Sequence, residues 1–500
     1  MAKAIMIQGT MSNVGKSFLT AGLCRIFKQD GYKVAPFKSQ NIALNSYVTE
    51  EGLEIGRAQA MQAEAAGIRP TSAMNPILLK LTKDTGSQVV VRGKVLEEEK
   101  VREYYQDKNK LIPIVMEAYE ELAEEYDILV IEGAGSPAEI NLGKDTFVNM
   151  GMAELVKAPV LLVGDIQRGG VFAQFYGTIM LLDEEERSRI KGMIINRYCG
   201  NNEMLEPGIE KLERLTRIPM LGITPSLDIM LDEEDSLTPY FSGEQAQGLI
   251  DLAVICYPNI SNFTDLAALE AVPGVSVRYV RKASEFRNPD MILLPGTKNT
   301  MSDLKWLREH HMDELLFRFQ KAGTVIFGIC GGYQMLGEML SDPNGMEQGG
   351  EMKGLGLLPI STVFDKEKTL SRVTGTFTCT SGILENLKDV ELEGYEIHMG
   401  RSFYTAPVTP MITMTDQVSG KVTPDGVCRE NVYGTYVHGI FDKKEVAEAM
   451  IQAIGKTKGI DMKHLKVEGF SEFKEMQYDL LAYSLRQSLD LKKIYEIMDL

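Results

Sequence analysis

The stretch Gly328-Ile329-Cys330-Gly331-Gly332 lies where the pattern of the chain changes. An apolar run, T-V-I-F at 324–327, precedes it, and Y-Q-M-L-G at 333–337 follows it. This order predicts a buried strand, a sharp turn and a helix, the thiol counterpart of the G-x-S-x-G nucleophile elbow. Glycines allow the cramped backbone of such a turn, and a helix N-terminus favours the thiolate. We interpret Cys330 as a nucleophile; without these flanking residues, a buried and inert cysteine would be the better interpretation.

A cysteine nucleophile needs a base, and the sequence contains five histidines. His438, in Y-V-H-G-I-F, ends a β-rich segment and is the preferred candidate, with His398, in G-Y-E-I-H-M-G, as the alternative. The other three, His310, His311 and His464, have charged neighbours and are predicted to lie on the surface.

Two backbone N–H groups are predicted to stabilise an oxyanion near Cys330. One belongs to Gly331, which directly follows the cysteine. The other belongs to the residue at or after Gly296, in a Pro-Gly turn that ends the apolar strand predicted around 291–294.

Composition restricts the class of protein. The chain has 500 residues, enough for two to four domains, and its hydrophobic content of 44% is ordinary for a globular protein. A net charge of -17 argues against general binding of nucleic acid or of an anionic membrane surface. No apolar run approaches the ~20 residues that span a bilayer, and no signal peptide is expected. The six scattered cysteines fit free thiols in a reducing cytoplasm.

The N-terminal strand leads into a glycine-rich loop, G-T-M-S-N-V-G-K-S at 9–17, and then into a helical pattern. This is the P-loop arrangement, in which backbone N–H groups and the helix N-terminus bind phosphates. Lys16 is predicted to reach the β- and γ-phosphates and Ser17 to bind Mg²⁺. The strict motif has four residues between its glycines, whereas five separate Gly9 from Gly15 here. The predicted nucleotide contacts are Thr10, Asn13, Val14, Gly15, Lys16 and Ser17.

Polar residues follow several further apolar strands of this half. Glu132 ends the strand predicted at 127–131 and suits a Walker-B role near Mg²⁺. Asn196, after another strand, is a candidate for reading a nucleotide base edge. Lys38, Gln40 and Asn41 follow the second strand, where the ligand crevice of a parallel sheet lies. Each of these residues alone could equally be an ordinary loop residue.

Alternating apolar strands and helices predict a doubly wound, mostly parallel α/β domain at 1–235. Polar, aperiodic stretches at 232–236 and 242–248 predict a domain junction. A second α/β domain, with the elbow, is predicted at 250–443, followed by a helical tail at 444–500.

Further motifs carry a resemblance to a known family. They include Q-N-I-A-L-N-S at Gln40, E-I-G-R-A-Q-A at Glu54, I-E-G-A-G-S-P-A-E-I-N-L at Ile131 and D-I-Q-R-G-G-V-F-A at Asp165. With these motifs, residues 1 to about 230 resemble the dethiobiotin-synthetase-like ATPase domain. Residues 250 to 443 resemble a class I glutamine amidotransferase of the branch found in cobyrinic acid amidating enzymes. The whole chain, tail included, resembles the cobyric acid synthase family.

The resemblance implies an ATP-dependent amidoligase that uses Mg²⁺ and takes nitrogen from glutamine. The implied substrate is a corrinoid, adenosylcobyrinic acid a,c-diamide, whose b, d, e and g carboxylates become amides. Cobalt would then belong to the substrate, and no protein-bound cobalt site is expected. The oligomeric state is left open.

The resemblance also implies roles for particular residues. Asp145 and Glu132 become candidates in the synthetase site and Asn196 for the adenine, while Lys38, Gln40, Asn41 and Arg57 become candidates for binding the corrinoid carboxylates. The wider amidotransferase pattern places Glu two residues after the histidine, where this chain has Ile440. Either the enzyme works with a Cys-His dyad, or another acid, such as Glu396, orients His438.

Three rival interpretations remain at this stage. A cobyrinic acid a,c-diamide synthase would share the fold and chemistry but amidate other carboxylates. A P-loop switch ATPase acting through a protein partner would carry a second lysine early in its loop, where this chain has Met11, and would not need Cys330 or His438. A degenerate amidotransferase fed by external ammonia is opposed by the intact elbow.

Overall fold

The structure is a computed structural model that describes residues 2–82, 86–96, 108–142, 147–232, 248–460, 462 and 467–500. Three expectations therefore lie outside the described residues: the place of Asp145, the surface position of His464, and most of the predicted domain junction, 233–247.

The N-terminal half is built on a six-stranded parallel sheet. Its strands in chain order are β1 (Lys3–Gly9), β2 (Val34–Phe37), β9 (Ile128–Glu132), β10 (Val160–Asp165), β11 (Ile190–Tyr198) and β12 (Met220–Pro225). The smaller strands between β2 and β9 are β3 (Gln40–Ile42), β4 (Ser46–Val48), β5 (Glu54–Gly56), β6 (Ile77–Thr82), β7 (Gly86–Val91) and β8 (Lys94–Val95). The main sheet has the order β12-β11-β10-β1-β9-β2, so the P-loop follows a central strand.

Helices cover both faces of this sheet, as its near-continuous apolar strands require. They are α1 (Lys16–Gln29), α2 (Arg57–Ala66), α3 (Ile112–Glu125), α4 (Met150–Leu155), α5 (Val171–Leu181), α6 (Glu184–Arg189) and α7 (Glu206–Thr216). Alternate residues of β1 enter opposite cores: Met6 packs with Val115 and Phe175, whereas Ile5 and Ile7 pack with residues of α1. The doubly wound parallel fold predicted for this half is confirmed.

The C-terminal half has a second six-stranded sheet, which is parallel except at one edge. Its strands are β13 (Ile250–Ile255), β14 (Val275–Val280), β15 (Met291–Leu294), β16 (Val325–Ile329), β23 (Val427–Arg429) and β24 (Val432–Thr435). Their order is β14-β13-β15-β16-β24-β23, with only β23 antiparallel to its neighbour. The helices are α8 (Ala267–Glu270), α9 (Thr300–Glu309), α10 (Met312–Lys321) and α11 (Gly331–Leu336).

A third sheet extends this half between α11 and β23. It contains β17 (Met339–Asp342), β18 (Gly350–Lys353), β19 (Ile360–Phe377), β20 (Glu391–Tyr404), β21 (Ile412–Asp416) and β22 (Val422–Asp425). The long antiparallel pair β19–β20 carries Tyr395 and His398 toward β24. The α/β fold predicted for the C-terminal half is confirmed.

The tail divides between the two halves. Its first helix, α12 (Lys444–Thr457), packs into the core of the C-terminal half through Val446 and Met450. The next two, α13 (Phe470–Ser488) and α14 (Leu491–Ile497), join the core that contains α1. The predicted tail is therefore helical, but it crosses back to cover the P-loop helix instead of packing as one separate unit.

Among the helices in the described part of the chain, none is both long and apolar enough to cross a membrane.

The packing of α13 on α1 gives a testable prediction. Leu485 is 1% exposed, and its side chain contacts the position that a Cβ on Gly22 would occupy. Leu485→Ala should lower the free energy of unfolding by about 2–5 kcal/mol, because it leaves a cavity in a close-packed core. A urea titration followed by circular dichroism measures the change. Leu480→Ala, on the same helix but 47% exposed, is the control and should change it by less than about 0.5 kcal/mol. Equal effects of the two variants would contradict the predicted contact.

Candidate active site

The elbow at Cys330 has the geometry that the sequence predicts. Strand β16 ends at Ile329, α11 begins at Gly331, and Cys330 between them has φ 52° and ψ -110°. A non-glycine residue rarely adopts such a backbone, and strain of this kind is typical of functional sites. A Cβ on Gly332 would lie 1.9 Å from the carbonyl oxygen of Leu294, so that position requires glycine. The turn therefore holds the thiol of Cys330 at the carboxyl end of the parallel sheet.

His438 follows β24, the strand next to the elbow strand, and lies beside a carboxylate. Its Nδ1 is 2.7 Å from Oδ2 of Asp265, and Asp265 Oδ1 accepts a hydrogen bond from the N–H of Gly439 at 2.9 Å. Tyr395 pairs with His438 through two backbone hydrogen bonds and stacks on its ring at 5.2 Å between centroids. The imidazole is thus held through Nδ1 at one edge and by Tyr395 on one face, with Nε2 at the other edge.

The charge on His438 is set by its neighbours. Burial disfavours the imidazolium, but the negative charges of Asp265 and Cys330 outweigh burial and raise the pKa of His438 to about 10. The arrangement therefore stabilises an imidazolium at His438, as a base that accepts a thiol proton would require.

Asp265 replaces the acid that the sequence suggested. Glu396 lies 3.4 Å from Nε2 of His398, not against His438, and Ile440 is fully buried in the apolar core. No motif marks Asp265, which lies in a turn after β13 and far from His438 in sequence. Only the tertiary fold brings the two together, so the sequence alone could not identify this residue.

His398 is also close to the thiol but is held by other groups. Its Nδ1 lies 2.7 Å from the carbonyl oxygen of Gly400, and its ring stacks on Tyr436 at 3.8 Å. These contacts favour His438 as the base. The expected surface positions of His310 and His311 agree with their exposure in the structure.

A cavity of about 60 Å³ adjoins the thiol, with Cys330 and His438 among its lining residues. The loop after β15 forms one wall, and the N of Thr297 lies 3.1 Å from the position of a Cβ on Gly331. The predicted oxyanion donors, at Gly331 and at the residue following Gly296, therefore lie side by side.

An amine, that of Lys298, and a carboxyl group, that of Glu347, also line this cavity. Burial and the positive charge of Lys80 lower the pKa of Lys298 to about 8. Burial raises the pKa of Glu347 to about 7, although its carboxylate accepts hydrogen bonds from the N–H groups of Thr300 and Met301. An amine and a carboxyl group in one cavity suit the α-carboxylate and α-amino groups of an amino acid.

The second centre lies at the carboxyl edge of the first sheet, around Glu132. Its Oε1 accepts hydrogen bonds from Ser17 Oγ at 3.0 Å and from Lys38 Nζ at 2.8 Å. Gln62 donates to its Oε2 at 2.5 Å, and Lys16 Nζ donates to the carbonyl oxygen of Gly135 at 3.2 Å. Burial opposes the charge of Glu132, but the ion pair and hydrogen bond with Lys38 hold its pKa below the ordinary value.

A hydroxyl and an ionised carboxylate in contact are suitable oxygen ligands for Mg²⁺, which usually takes few protein ligands and completes its shell with water and phosphate. Ser17 and Glu132 therefore fit the metal implied for this site. The described residues contain no cluster of three or more His, Cys, Asp and Glu side chains that could bind a metal by themselves.

Residues around the P-loop hold its backbone. Asn196 donates from Nδ2 to the carbonyl oxygen of Val14 at 2.7 Å and accepts at Oδ1 from Thr224. Arg197 donates to the carbonyl oxygen of Asn13 at 2.9 Å. Thr10 Oγ1 donates to Gln174 at 3.2 Å, and Gly15 has φ 93° directly before α1. Asn196 thus supports the loop, and its contact with adenine stays a prediction.

The residues expected to bind the corrinoid make different contacts in the structure. Lys38 contacts Glu132, so it lies at the phosphate end of the site. Gln40 and Asn41 lie in β3, where Asn41 donates to Gln59 at 2.8 Å. Arg57 is buried in an ion pair with Asp232, 2.7 Å away, and lines a separate cavity of about 320 Å³ beside Tyr47 and the tail. Sequence reasoning also missed Gln62, because no motif distinguishes it from the other residues of α2.

Comparison with known proteins places both halves in families. Residues 5–236 match the family model described as the CobQ/CobB/MinD/ParA nucleotide binding domain. Residues 251–446 match the CobB/CobQ-like glutamine amidotransferase domain. Among solved structures, PurLQS from Thermotoga maritima aligns with 46% of this chain and 97% of its own at 17% identity, with a TM-score of 0.29. The two halves together define a glutamine-dependent amidoligase.

Full-length relatives narrow this class. A cobyric acid synthase of Ruminiclostridium cellulolyticum is 54% identical over 100% of this chain and 98% of its own length. Another, of Lachnoclostridium phytofermentans, is 53% identical over 100% of this chain and 99% of its own length. The chain belongs to the cobyric acid synthase family.

The contact of Asp265 with His438 gives a prediction for the glutaminase half. Asp265→Asn should lower kcat for glutamine hydrolysis by about 100-fold or more, because the amide neither orients the imidazole in the same tautomer nor stabilises its charge. Glutamate release at saturating glutamine measures the loss. Glu396→Gln is the control and should retain most of the activity. A larger loss in Glu396→Gln than in Asp265→Asn would show that the wrong acid has been assigned.

The contacts of Glu132 give a prediction for the synthetase half. Glu132→Gln should abolish ATP-dependent amidation with either glutamine or ammonium, because the site would lose the ionised carboxylate that fits Mg²⁺. It should leave slow glutamine hydrolysis at Cys330 measurable. The change also leaves the charge of Lys38 unpaired in a buried site, so thermal unfolding must show that the variant folds. Amidation at the wild-type rate would contradict the assignment.

Proposed function

We propose that this enzyme amidates peripheral carboxylates of a corrinoid in cobalamin biosynthesis, with nitrogen from glutamine and energy from ATP. The proposed substrate is adenosylcobyrinic acid a,c-diamide, and its b, d, e and g carboxylates each consume one glutamine and one ATP. The observation that carries the proposal is the pair of polar centres, at Cys330 and at Glu132, within one chain whose full-length relatives are named cobyric acid synthase.

In the amidotransferase half, Cys330 Sγ attacks the amide carbon of glutamine while His438 Nε2 accepts the thiol proton. The N–H groups of Gly331 and of Thr297 stabilise the oxyanion. The carbon–nitrogen bond then breaks, and His438 returns the proton to the leaving ammonia. Water, deprotonated by His438, hydrolyses the glutamyl thioester and releases glutamate, which restores Cys330.

Glutamine itself would be bound by the groups of opposite charge in the cavity beside Cys330. Lys298 suits the α-carboxylate of the substrate, and Glu347 suits its ammonium group.

In the synthetase half, ATP with Mg²⁺ supplies the phosphoryl group that converts a carboxylate, a poor electrophile, into an acyl phosphate. Lys16 and Lys38 would neutralise the charge that builds up on the transferred phosphoryl group, and Ser17 and Glu132 would hold Mg²⁺. Nitrogen then bonds to the acyl carbon, the carbon–oxygen bond to phosphate breaks, and the amide nitrogen loses a proton. Asp145 remains a proposed catalytic residue for this half.

The corrinoid carboxylates are proposed to enter beside Lys38, with Gln40 and Asn41 as neighbouring contacts. Arg57 keeps a proposed role only as a more distant contact, because Asp232 already neutralises it. The Asn196 side chain is proposed to lie near the adenine while it supports the P-loop. A cytoplasmic location is also proposed, and the six cysteines, all free thiols, suit a reducing compartment.

The nitrogen source distinguishes the two centres. Cys330→Ala should lose glutamine-dependent amidation completely but retain amidation with ammonium chloride, because only ammonia release requires the thiol. Mass spectrometry of the corrinoid with a ¹⁵N-labelled source counts the carboxylates converted. Cys199→Ala, which removes an exposed cysteine, is the control and should behave as wild type.

Two results would overturn the proposal. If the wild-type enzyme hydrolyses ATP without amidating any corrinoid, the ligase assignment is wrong and a switch ATPase becomes the better interpretation. If it amidates cobyrinic acid at the a and c positions instead, the enzyme is the a,c-diamide synthase.

A further inference from the structure

One short segment of the ATPase half reaches from one centre to the other. It covers residues 38–48 and is called here the bridging segment. At its start, Lys38 contacts Glu132 at 2.8 Å. At its end, Val48 packs in a small apolar cluster with Tyr395 and Ile397 of the amidotransferase half. The two centres are thus joined along a single stretch of backbone.

Near its end, this segment exchanges hydrogen bonds with Asn262 of the other half. The N–H of Asn262 donates to Oδ1 of Asn45 at 2.8 Å, and the N–H of Ser46 donates to Oδ1 of Asn262 at 3.3 Å. All three residues are buried, with 1%, 1% and 4% of their surfaces exposed for Asn45, Ser46 and Asn262. Buried hydrogen bonds of this kind are costly to break, because the N–H groups left behind lack a partner.

Asn262 belongs to the turn that supports the proposed base. Because its Oδ1 accepts from a backbone N–H, its amide nitrogen must face the other way, and Nδ2 lies 3.5 Å from His438 Nε2. Three residues later, Asp265 contacts Nδ1 of the same imidazole. Asn262 itself has φ 53°, in the left-handed region that asparagine tolerates. This single turn therefore contacts both nitrogens of His438, and the bridging segment holds it in place.

Buried charges fix the bridging segment at the same point. Ser46 Oγ donates to Glu54 at 2.8 Å, and Glu54 is ion-paired with Lys80 of its own half and, at 2.5 Å, with Lys368 of the other. Lys298, in the glutamine cavity, lies 3.5 Å from Gln88 of the ATPase half. A shift of the segment would disturb these ion pairs and hydrogen bonds together, so a displacement at Lys38 would also change the contacts of Asn45.

We infer that Asn45 is a positioning residue for the glutaminase, through which the bridging segment links the state of the synthetase centre to His438. This inference rests on the proposed function, because it requires both centres to be active. A substrate or phosphate group that changes the contact of Lys38 with Glu132 acts at one end of the segment. The Asn262 turn, and with it the imidazole, responds at the other end. Glutamine hydrolysis is then fastest when a carboxylate is ready to receive ammonia.

The test uses Asn45→Ala in the full-length enzyme. With ATP and corrinoid present, kcat for glutamine hydrolysis should fall about 5- to 10-fold, which is the size expected for one lost buried hydrogen bond. KM for glutamine should stay within about twofold, because Asn45 does not contact the cavity that binds it. Amidation with ammonium chloride should remain at the wild-type rate. Wild type should show stimulation of glutaminase activity by ATP and corrinoid, and Asn45→Ala should lose it; a wild type without stimulation would overturn the inference.

A matched control separates positioning from a loosened interface. Val48→Ala removes packing from the same segment and the same interface but leaves the hydrogen bonds of Asn45 intact. It should retain the stimulation. A double-mutant cycle combines Asn45→Ala with Asn262→Gly, which keeps the left-handed backbone and removes the amide. The double variant should lose less kcat for glutamine hydrolysis than the product of the two single losses.

Each outcome decides between explanations. If Asn45→Ala keeps the wild-type stimulation, or if Val48→Ala loses as much as Asn45→Ala, the positioning role is wrong while the proposed function stands. If the effects of Asn45 and Asn262 multiply independently, Asn45 does not act through that turn. If wild type amidates no corrinoid from either nitrogen source, the proposed function fails and the inference fails with it.

Discussion

Two parallel sheets, each covered on both faces, impose the constraint on which the rest of this structure depends. Their central strands are largely apolar, so the polar side chains of both centres lie where these strands stop. In one sheet, Cys330 follows β16 and His438 follows β24. In the other, the P-loop follows β1 and Glu132 is the last residue of β9. Both centres are therefore built at carboxyl edges, where ligands bind in open α/β sheets.

This constraint also explains why the centres need support from outside their own sheets. The thiol and the imidazole come from neighbouring strands, but the carboxylate that orients the imidazole comes from the turn after β13. Glu132 similarly accepts hydrogen bonds from Lys38, which follows β2, and from Gln62 of α2. Each centre is thus assembled from loops that the sheet brings to one edge, and each contains a buried charge whose partner lies within hydrogen-bonding distance.

Buried ion pairs and hydrogen bonds join the two halves beside the small apolar cluster at Val48. Glu54 is completely buried and is paired with lysines from both halves, which hold its pKa well below the ordinary value against the opposing effect of burial. Such ion pairs add little net stability, but they fix register, because a misplaced partner would leave a buried charge unpaired. The tail adds apolar packing, since α13 and α14 return to cover α1. The ion pairs of Glu54 therefore set the alignment of the two halves, whereas the tail contributes apolar packing.

Local sequence determined much of the fold and part of each centre. Apolar runs bounded by glycine and polar residues identified most of the strands of both sheets, since the central strands of a buried parallel sheet are largely apolar. The elbow at Cys330 and the loop ending in Lys16 and Ser17 could be predicted because their chemistry requires a fixed spacing of glycines around one reactive group. Asp265 and Gln62 could not be predicted, because their roles depend only on which strands and helices become neighbours. Tertiary structure alone also decided the return of the tail to α1 and the contact of Asn45 with Asn262, since such contacts between distant residues leave no periodic signal in the chain.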